Sequence, residues 1–159
     1  MEEKEELIKA QFYYNLEKIY DQCPKFDVKI CLGDFNAKIG KEVGARPNMG
    51  EHSLHTISDD NGERLINFAI SHGLSIASTL FPHKRIHKAT WRSPDGNTSN
   101  QIDHFLIDYR HINNVLDVRS YRGANADSDH YLLIAKLRCR IPSTRFLKSE
   151  DFIKYDTQK

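Results

Sequence analysis

The alternation of apolar and polar positions divides the chain into helix-period and strand-period segments. Ile8, Phe12, Leu16, Ile19 and Tyr20 recur at helical spacing, so residues 3 to 21 read as an amphipathic helix that Pro24 ends. Glu2, Glu3, Glu5 and Glu6 fall in its first turns, where a helix dipole favours negative charge. The run Val28-Lys29-Ile30-Cys31-Leu32 is short and apolar, and predicts a buried strand over 27 to 32. A long loop, 37 to 59, follows with Gly40, Gly44, Pro47 and Gly50. Asp60-Asn61-Gly62-Glu63 is a cap-like start for a helix over 62 to 72 that buries Leu65, Ile66, Ala69 and Ile70 and ends at Gly73. Short strands are predicted at 74 to 78 and 89 to 93. Ser93-Pro94-Asp95-Gly96-Asn97 turns the chain, so Gln101 to Asp108 is expected to pair with 89 to 93. Val115 to Tyr121 and the strand begun by Tyr131-Leu132-Leu133-Ile134-Ala135 complete the set.

Polar residues interrupt this pattern in three informative places. Gly33-Asp34-Phe35-Asn36 closes the first strand. On an extended backbone Asp34 and Asn36 share one face and Phe35 takes the other. A carboxylate beside an amide suits a proton acceptor next to a group that grips an oxyanion or a water. Gly, Asp and Asn are equally the ordinary residues of a turn after a strand. Asp103 lies inside an apolar strand, where a lone carboxylate is costly without a partner. Ser128-Asp129-His130 stands where a loop meets the last strand. Asp34, Asn36, Asp103, Asp129 and His130 thus all lie in strands or at strand ends. Together they suit metal-assisted phosphodiester hydrolysis: one carboxylate binds Mg²⁺, a second orients a histidine, a third prepares a water.

Composition narrows the picture. The length of 159 residues fits one domain, and 39% hydrophobic with 28% charged residues is the composition of a soluble globular protein. A formal charge of +1 gives no global polyelectrolyte signal, so a nucleic-acid surface must be local. One segment qualifies: Lys84, Arg85, Lys88 and Arg92 interleave with His83, His87 and Trp91, without an acid until Asp95. Such a segment holds phosphates and stacks on bases, or is a solvated loop before a half-buried tryptophan. Three cysteines without CxxC spacing predict neither a disulfide framework nor a zinc site, and fit a reducing compartment. No apolar run approaches the ~20 residues of a membrane span. An acidic N-terminus is no targeting peptide, which points to an intracellular protein, nuclear or cytoplasmic. From Lys136 the chain carries seven Lys/Arg against three Asp/Glu, so 1 to 140 is expected to be the domain and 141 to 159 a basic linker or tail.

The motifs Gly-Asp-Phe-Asn, Ile-Asp-His and Ser-Asp-His, in this order, resemble the second half of the endonuclease/exonuclease/phosphatase superfamily, the deoxyribonuclease I-like fold. Asp-Phe-Asn-Ala-Lys-Ile-Gly, Asn-Gly-Glu-Arg-Leu, Ala-Thr-Trp-Arg-Ser-Pro-Asp-Gly and Gln-Ile-Asp-His are similar to the endonuclease domains of non-LTR retrotransposons and the related craniofacial development protein 2-like family. The resemblance covers roughly residues 5 to 140. It implies an α/β (α+β) fold, part of a four-layer β-sandwich flanked by helices with its N-terminal half missing, and a DNA-nicking endonuclease using Mg²⁺ or Mn²⁺.

By the same resemblance, Asp34 orients or deprotonates the attacking water and Asn36 binds the scissile phosphate or the nucleophile. Asp103 holds His130 in its productive tautomer, His130 stabilises charge on phosphate oxygens, and Asp129 contributes to the metal site. Thr90 and Trp91 lie beside the substrate groove. His104 is structural and Asp127 is a loop residue. The superfamily's metal site also depends on a Glu and a nearby Asn from strands of the first half, to which this chain has no counterpart. Weak or no activity alone is therefore the expectation, together with an uncovered apolar sheet face prone to self-association. The alternatives are another phosphoesterase of the superfamily, or a catalytically dead scaffold.

Overall fold

The computed structural model describes residues 2 to 46, 48 to 124 and 128 to 139. Asp127 and the basic tail from residue 140 therefore lie outside the described residues. The architecture is mixed α/β, with two helices on small antiparallel sheets. Helix α1 (Glu2–Gln22) is followed by strand β1 (Ile30–Asp34), helix α2 (Asp60–Ser71), β2 (Leu74–Ile76), β3 (Trp91–Arg92), β4 (Ser99–Asn100), β5 (Asp103–Asp108), β6 (Val115–Tyr121) and β7 (Leu132–Leu137). Three sheets form, in the orders β1-β5-β2, β3-β4 and β6-β7.

β5 is the centre of the molecule, because both its faces are covered. Leu106 packs towards the helices, in a cluster with Leu65, Ile66, Phe68, Leu74 and Ile76. Phe105 and Ile107 point the other way, against Val115, Val118, Leu133 and Ala135 of the β6-β7 ribbon. The period of two along a strand therefore sends His104 to the helix side and Asp103 to the ribbon side. β1 pairs antiparallel with β5 and sets Gly33 opposite His104 and Asp34 opposite Asp103. Directly opposed residues share a face, so both aspartates project on the ribbon side.

Helix α2 begins two residues earlier than the pattern suggests, and Ile70, expected in its buried face, is exposed. Asp59, not Asp60, is the N-cap: its carboxylate accepts the N–H groups of Gly62, at 2.7 Å, and of Lys38, at 3.0 Å. Gly62 is required there, since a Cβ would collide with the carbonyl oxygen of Lys38. The helix stops at Gly73, whose φ of +63° is the left-handed C′ conformation that glycine provides.

Three further sequence expectations are corrected. The hairpin strand β3 pairs with the two-residue β4, not with Gln101 to Asp108. Gln101 and Ile102 are drawn inward instead, and β5 starts afresh at Asp103 between β1 and β2. Helix α1 is also rotated from its predicted face. Tyr13, Leu16 and Tyr20 meet the core, whereas Ile8, Phe12 and Ile19 are exposed. Arg64 binds both Glu6 and Asp60, and Lys9 binds Asp60 at 3.2 Å, which turns that face of α1 towards α2. Between α1 and β1 lies an open groove of about 590 Å³ lined by Phe12, Ile19, Ile30 and Leu32. The run expected to be a buried strand is open instead: Val28, Ile30 and Leu32 are all exposed, because no further strand or helix covers this face of β1 among the described residues.

Candidate active site

The site forms where β1, β5 and the segment entering β7 meet. Asp103 begins β5 and faces the ribbon side, and His130 is carried there by an isolated bridge between Trp91 and His130. Two further backbone bonds hold this crossing: Arg92 N–H to the Asp129 carbonyl, at 3.0 Å, and Tyr131 N–H to the Thr90 carbonyl, at 2.7 Å. The Ser128 hydroxyl accepts the His130 N–H at 3.1 Å. His130 Nδ1 then lies 3.1 Å from Asp103 Oδ2, and Nε2 lies 3.9 Å from Asp34 Oδ2. A carboxylate accepts only, so Nδ1 carries the hydrogen in this bond and Nε2 is aimed at the open side. One imidazole therefore bridges two cross-strand carboxylates that would otherwise repel each other.

Exposure falls inward across this trio. The side chains of Asp34, His130 and Asp103 are 47%, 31% and 16% exposed. The most buried member, Asp103, is the one in hydrogen-bond contact with the imidazole, and the more exposed Asp34 and His130 face the open side.

Asn36 reaches the site by a turn, not by strand alternation. β1 ends at Asp34, and Asn36 is left-handed with φ +47°. Its N–H donates to Asp34 Oδ1 at 2.8 Å, so Asp34 is at once a site carboxylate and a turn former. Asn61, an unassigned residue in the sequence reading, fixes this turn: its amide donates to the Asn36 carbonyl at 3.0 Å. The Asn36 side chain is left exposed beside Asp34.

Trp91 and Asp129 form one unit. The indole N–H donates to Asp129 Oδ2 at 2.7 Å, so Trp91 steers the carboxylate assigned to the metal. Thr90 does not lie in a substrate groove. Its side chain is fully buried and its hydroxyl accepts the N–H groups of Ile102, at 3.0 Å, and Asp103, at 3.1 Å. A β-branched hydroxyl facing inward caps the start of β5, where the backbone has no strand partner yet. Gln101 is the other unassigned support. Its side chain accepts Leu54 N–H and donates to the Ser78 carbonyl, while its own N–H donates to His55 Nε2. Its place beside Ile102-Asp103 in the Gln-Ile-Asp-His motif was the available signal.

His104 is the structural histidine of the pair. It is fully buried, with Nδ1 2.8 Å from the Ser78 hydroxyl and Nε2 2.9 Å from the Ala37 carbonyl. A carbonyl can only accept, so Nε2 carries the hydrogen and Nδ1 accepts from Ser78. Burial pushes its pKa down to about 4.

A divalent metal is the cofactor implied by the resemblance, and the described residues do not fit it as a complete site. No group of three His, Cys, Asp or Glu side chains among them is placed to hold a metal ion. Asp129 gives one oxygen to Trp91 and has one left, and Asp34 gives one to the Asn36 N–H and has one left. Mg²⁺ dehydrates reluctantly and needs near-octahedral oxygen ligation, which two remaining carboxylate oxygens do not supply.

Helices over small antiparallel sheets, with a His–Asp pair at the strand ends, define a nuclease-type fold. It is similar to the 3'-5' exonuclease of Neisseria meningitidis, at TM-score 0.59 and 21% identity, over 82% of this chain and 53% of that one. The chain shares that fold, the deoxyribonuclease I-like fold that its motifs resemble. In sequence it is similar to craniofacial development protein 2 of Tragulus javanicus and of Bos taurus. Each is 36% identical over 137 residues, which is 82% of this chain. The chain spans 22% of the length of these two relatives. No family profile matches it.

Proposed function

We propose that the chain carries the core of a phosphodiesterase site that nicks DNA. The observation that supports this best is His130, bonded through Nδ1 to Asp103 and turning Nε2 towards Asp34. In this reading Asp34 orients and deprotonates the attacking water, and Asn36 hydrogen-bonds the phosphate. His130, fixed by Asp103, stabilises the charge that develops on the phosphate oxygens. The proposal includes Mg²⁺, with the free oxygen of Asp129 as one ligand and the other ligands coming from outside the described residues. Nicking by this chain alone is accordingly weak. The motif resemblance supports descent from a retrotransposon endonuclease, and the nuclease neighbour supports a nucleic-acid substrate.

Plasmid nicking across a Mg²⁺ titration, with the chain and its His130→Ala variant, tests the reading. Weak, Mg²⁺-dependent nicking that disappears in the variant is expected. Nicking that is equal in both would overturn the assignment of His130. A scaffold without catalysis is the second reading, supported by the absence of three donors placed to hold a metal ion among the described residues. It predicts DNA binding that is indifferent to Mg²⁺, with no nicking at any concentration.

A further inference from the structure

Cations and carboxylates are unevenly shared among the described residues. Several cations around α1 and α2 have a carboxylate: Lys9 and Arg64 have Asp60, Arg64 also has Glu6, and Arg46 has Glu63 at 3.1 Å. At the far end of β5, Arg110 has Asp108 at 2.5 Å. Lys38, Lys41, Lys84, Arg85 and Lys88 form no ion pair within the described residues. They belong to two loops far apart in sequence, which the fold brings together.

Gln101 is the joint. Its side chain ties Leu54 of the first loop to Ser78, and its N–H ties His55. His55 bridges to Gly40, and Lys41 N–H donates to the Thr56 carbonyl at 3.2 Å, which brings Lys38 and Lys41 to this edge. From the other loop, Ala89 N–H and Lys88 N–H both close on the Arg85 carbonyl at 3.1 Å, and Thr90 N–H donates to the Asn100 carbonyl at 2.8 Å. The charges feel one another. Burial and then the positive charge of Lys41 push the Lys88 ammonium pKa down, and burial, Lys38 and Arg85 do the same to His55. The nearby acids are engaged by backbone: Asp59 by Gly62 and Lys38 N–H, Glu42 by Ser58 N–H at 2.7 Å. Both loops adjoin the site, Lys38 two residues after Asn36 and Lys88 three residues before Trp91, whose bridge carries His130.

We propose that Lys38, Lys41, Arg85 and Lys88 form one phosphate-backbone track, assembled from the 37–59 and 81–90 loops, that holds the nucleic acid flanking the scissile bond. Like charges set together repel, and a polyanion relieves that repulsion. Long stems with exposed heads suit phosphates, which position a duplex without reading its sequence. The track rests on the nucleic-acid reading of the site and adds to it where the flanking strand runs.

The test is binding of a short labelled duplex, without divalent metal, as salt rises from roughly 50 to 200 mM. The whole chain is compared with Lys41→Gln/Lys88→Gln, Lys41→Arg/Lys88→Arg and, as a control on the exposed face of α1, Lys18→Gln. Each lost phosphate contact removes about 0.9 from the log–log salt slope, so the glutamine pair is expected to be shallower by about 2. The arginine pair and Lys18→Gln are expected to keep the full slope. A glutamine pair with the full slope and affinity overturns the track and leaves the nucleic-acid reading standing. A parent chain that binds no duplex at low salt overturns that reading, and the track with it.

Discussion

His104 and His130 stand on opposite faces of the same strand end, and each is held by two partners. His104 meets a carbonyl and a hydroxyl in a sealed pocket; His130 meets two carboxylates at an open one. The first pair of partners is neutral and complete, so it fixes a tautomer and holds the Gly33-Asp34 turn against β5. The second pair is charged and leaves one ring nitrogen free of a short bond, so it can exchange a partner for a ligand. Histidine is structural or chemical here according to the face of β5 that it is given, not according to its neighbours in sequence.

The largest effect is expected from His130→Ala. Residual nicking falls by roughly 10²- to 10⁴-fold, the usual worth of one positioned acid–base group, while the melting temperature hardly moves. A matching loss of stability would erase the contrast. His104→Ala is its mirror. It leaves the Ala37 carbonyl and the Ser78 hydroxyl buried and unpaired, and costs roughly 2–4 kcal/mol in chemical denaturation. An unchanged denaturation midpoint would show that the pocket is not sealed.

Acid sharpens the same comparison. The folded His104 pKa of about 4 lies below the ordinary 6.5, so the unfolded chain binds the extra proton between those values. Stability is full above about pH 6.5 and drains as pH falls towards 4, with about 2 kcal/mol lost between pH 7 and pH 5. Melts at the two pH values should show it, and His104→Gln should flatten the difference. Smaller still is Trp91→Phe. It frees Asp129 from its indole bond at the cost of one exposed hydrogen bond, about 1 kcal/mol at most. The affinity for Mg²⁺, followed by calorimetry, should change more than the melting temperature does.

The site was legible where it follows strand periodicity. Gly33-Asp34 and Ile102-Asp103-His104 fall at fixed positions on paired strands, so the need of Asp103 for a partner and the opposite face of His104 could be read from alternation, whereas the partner itself, His130, came from the motif resemblance. Asn36 could not, because a left-handed turn overrides alternation within two residues of the strand end. Thr90 looked like a surface neighbour of Trp91, since nothing local says that β5 begins without a partner for its first two N–H groups. The face of α1 was misjudged for a similar reason. Ion pairs from α2, about 50 residues away, set its rotation, and an apolar stripe alone does not tell which side meets the core. The uneven sharing of cations and carboxylates was invisible for the same cause, because pairing is decided by acids distant in sequence.

The Thr90 hydroxyl, which takes two amide hydrogens at once, also makes the centre of the molecule observable. In deuterated water the amides of Ile102 and Asp103 can exchange only when the Thr90 side chain lifts from the start of β5. Their two resonances would fade together, and faster than those of Phe105 to Ile107 deeper in the strand if the site end opens by itself. A nucleic acid seated at Asp103 and His130 would slow the first pair and leave the rest alone, which separates occupancy of the site from tightening of the whole fold.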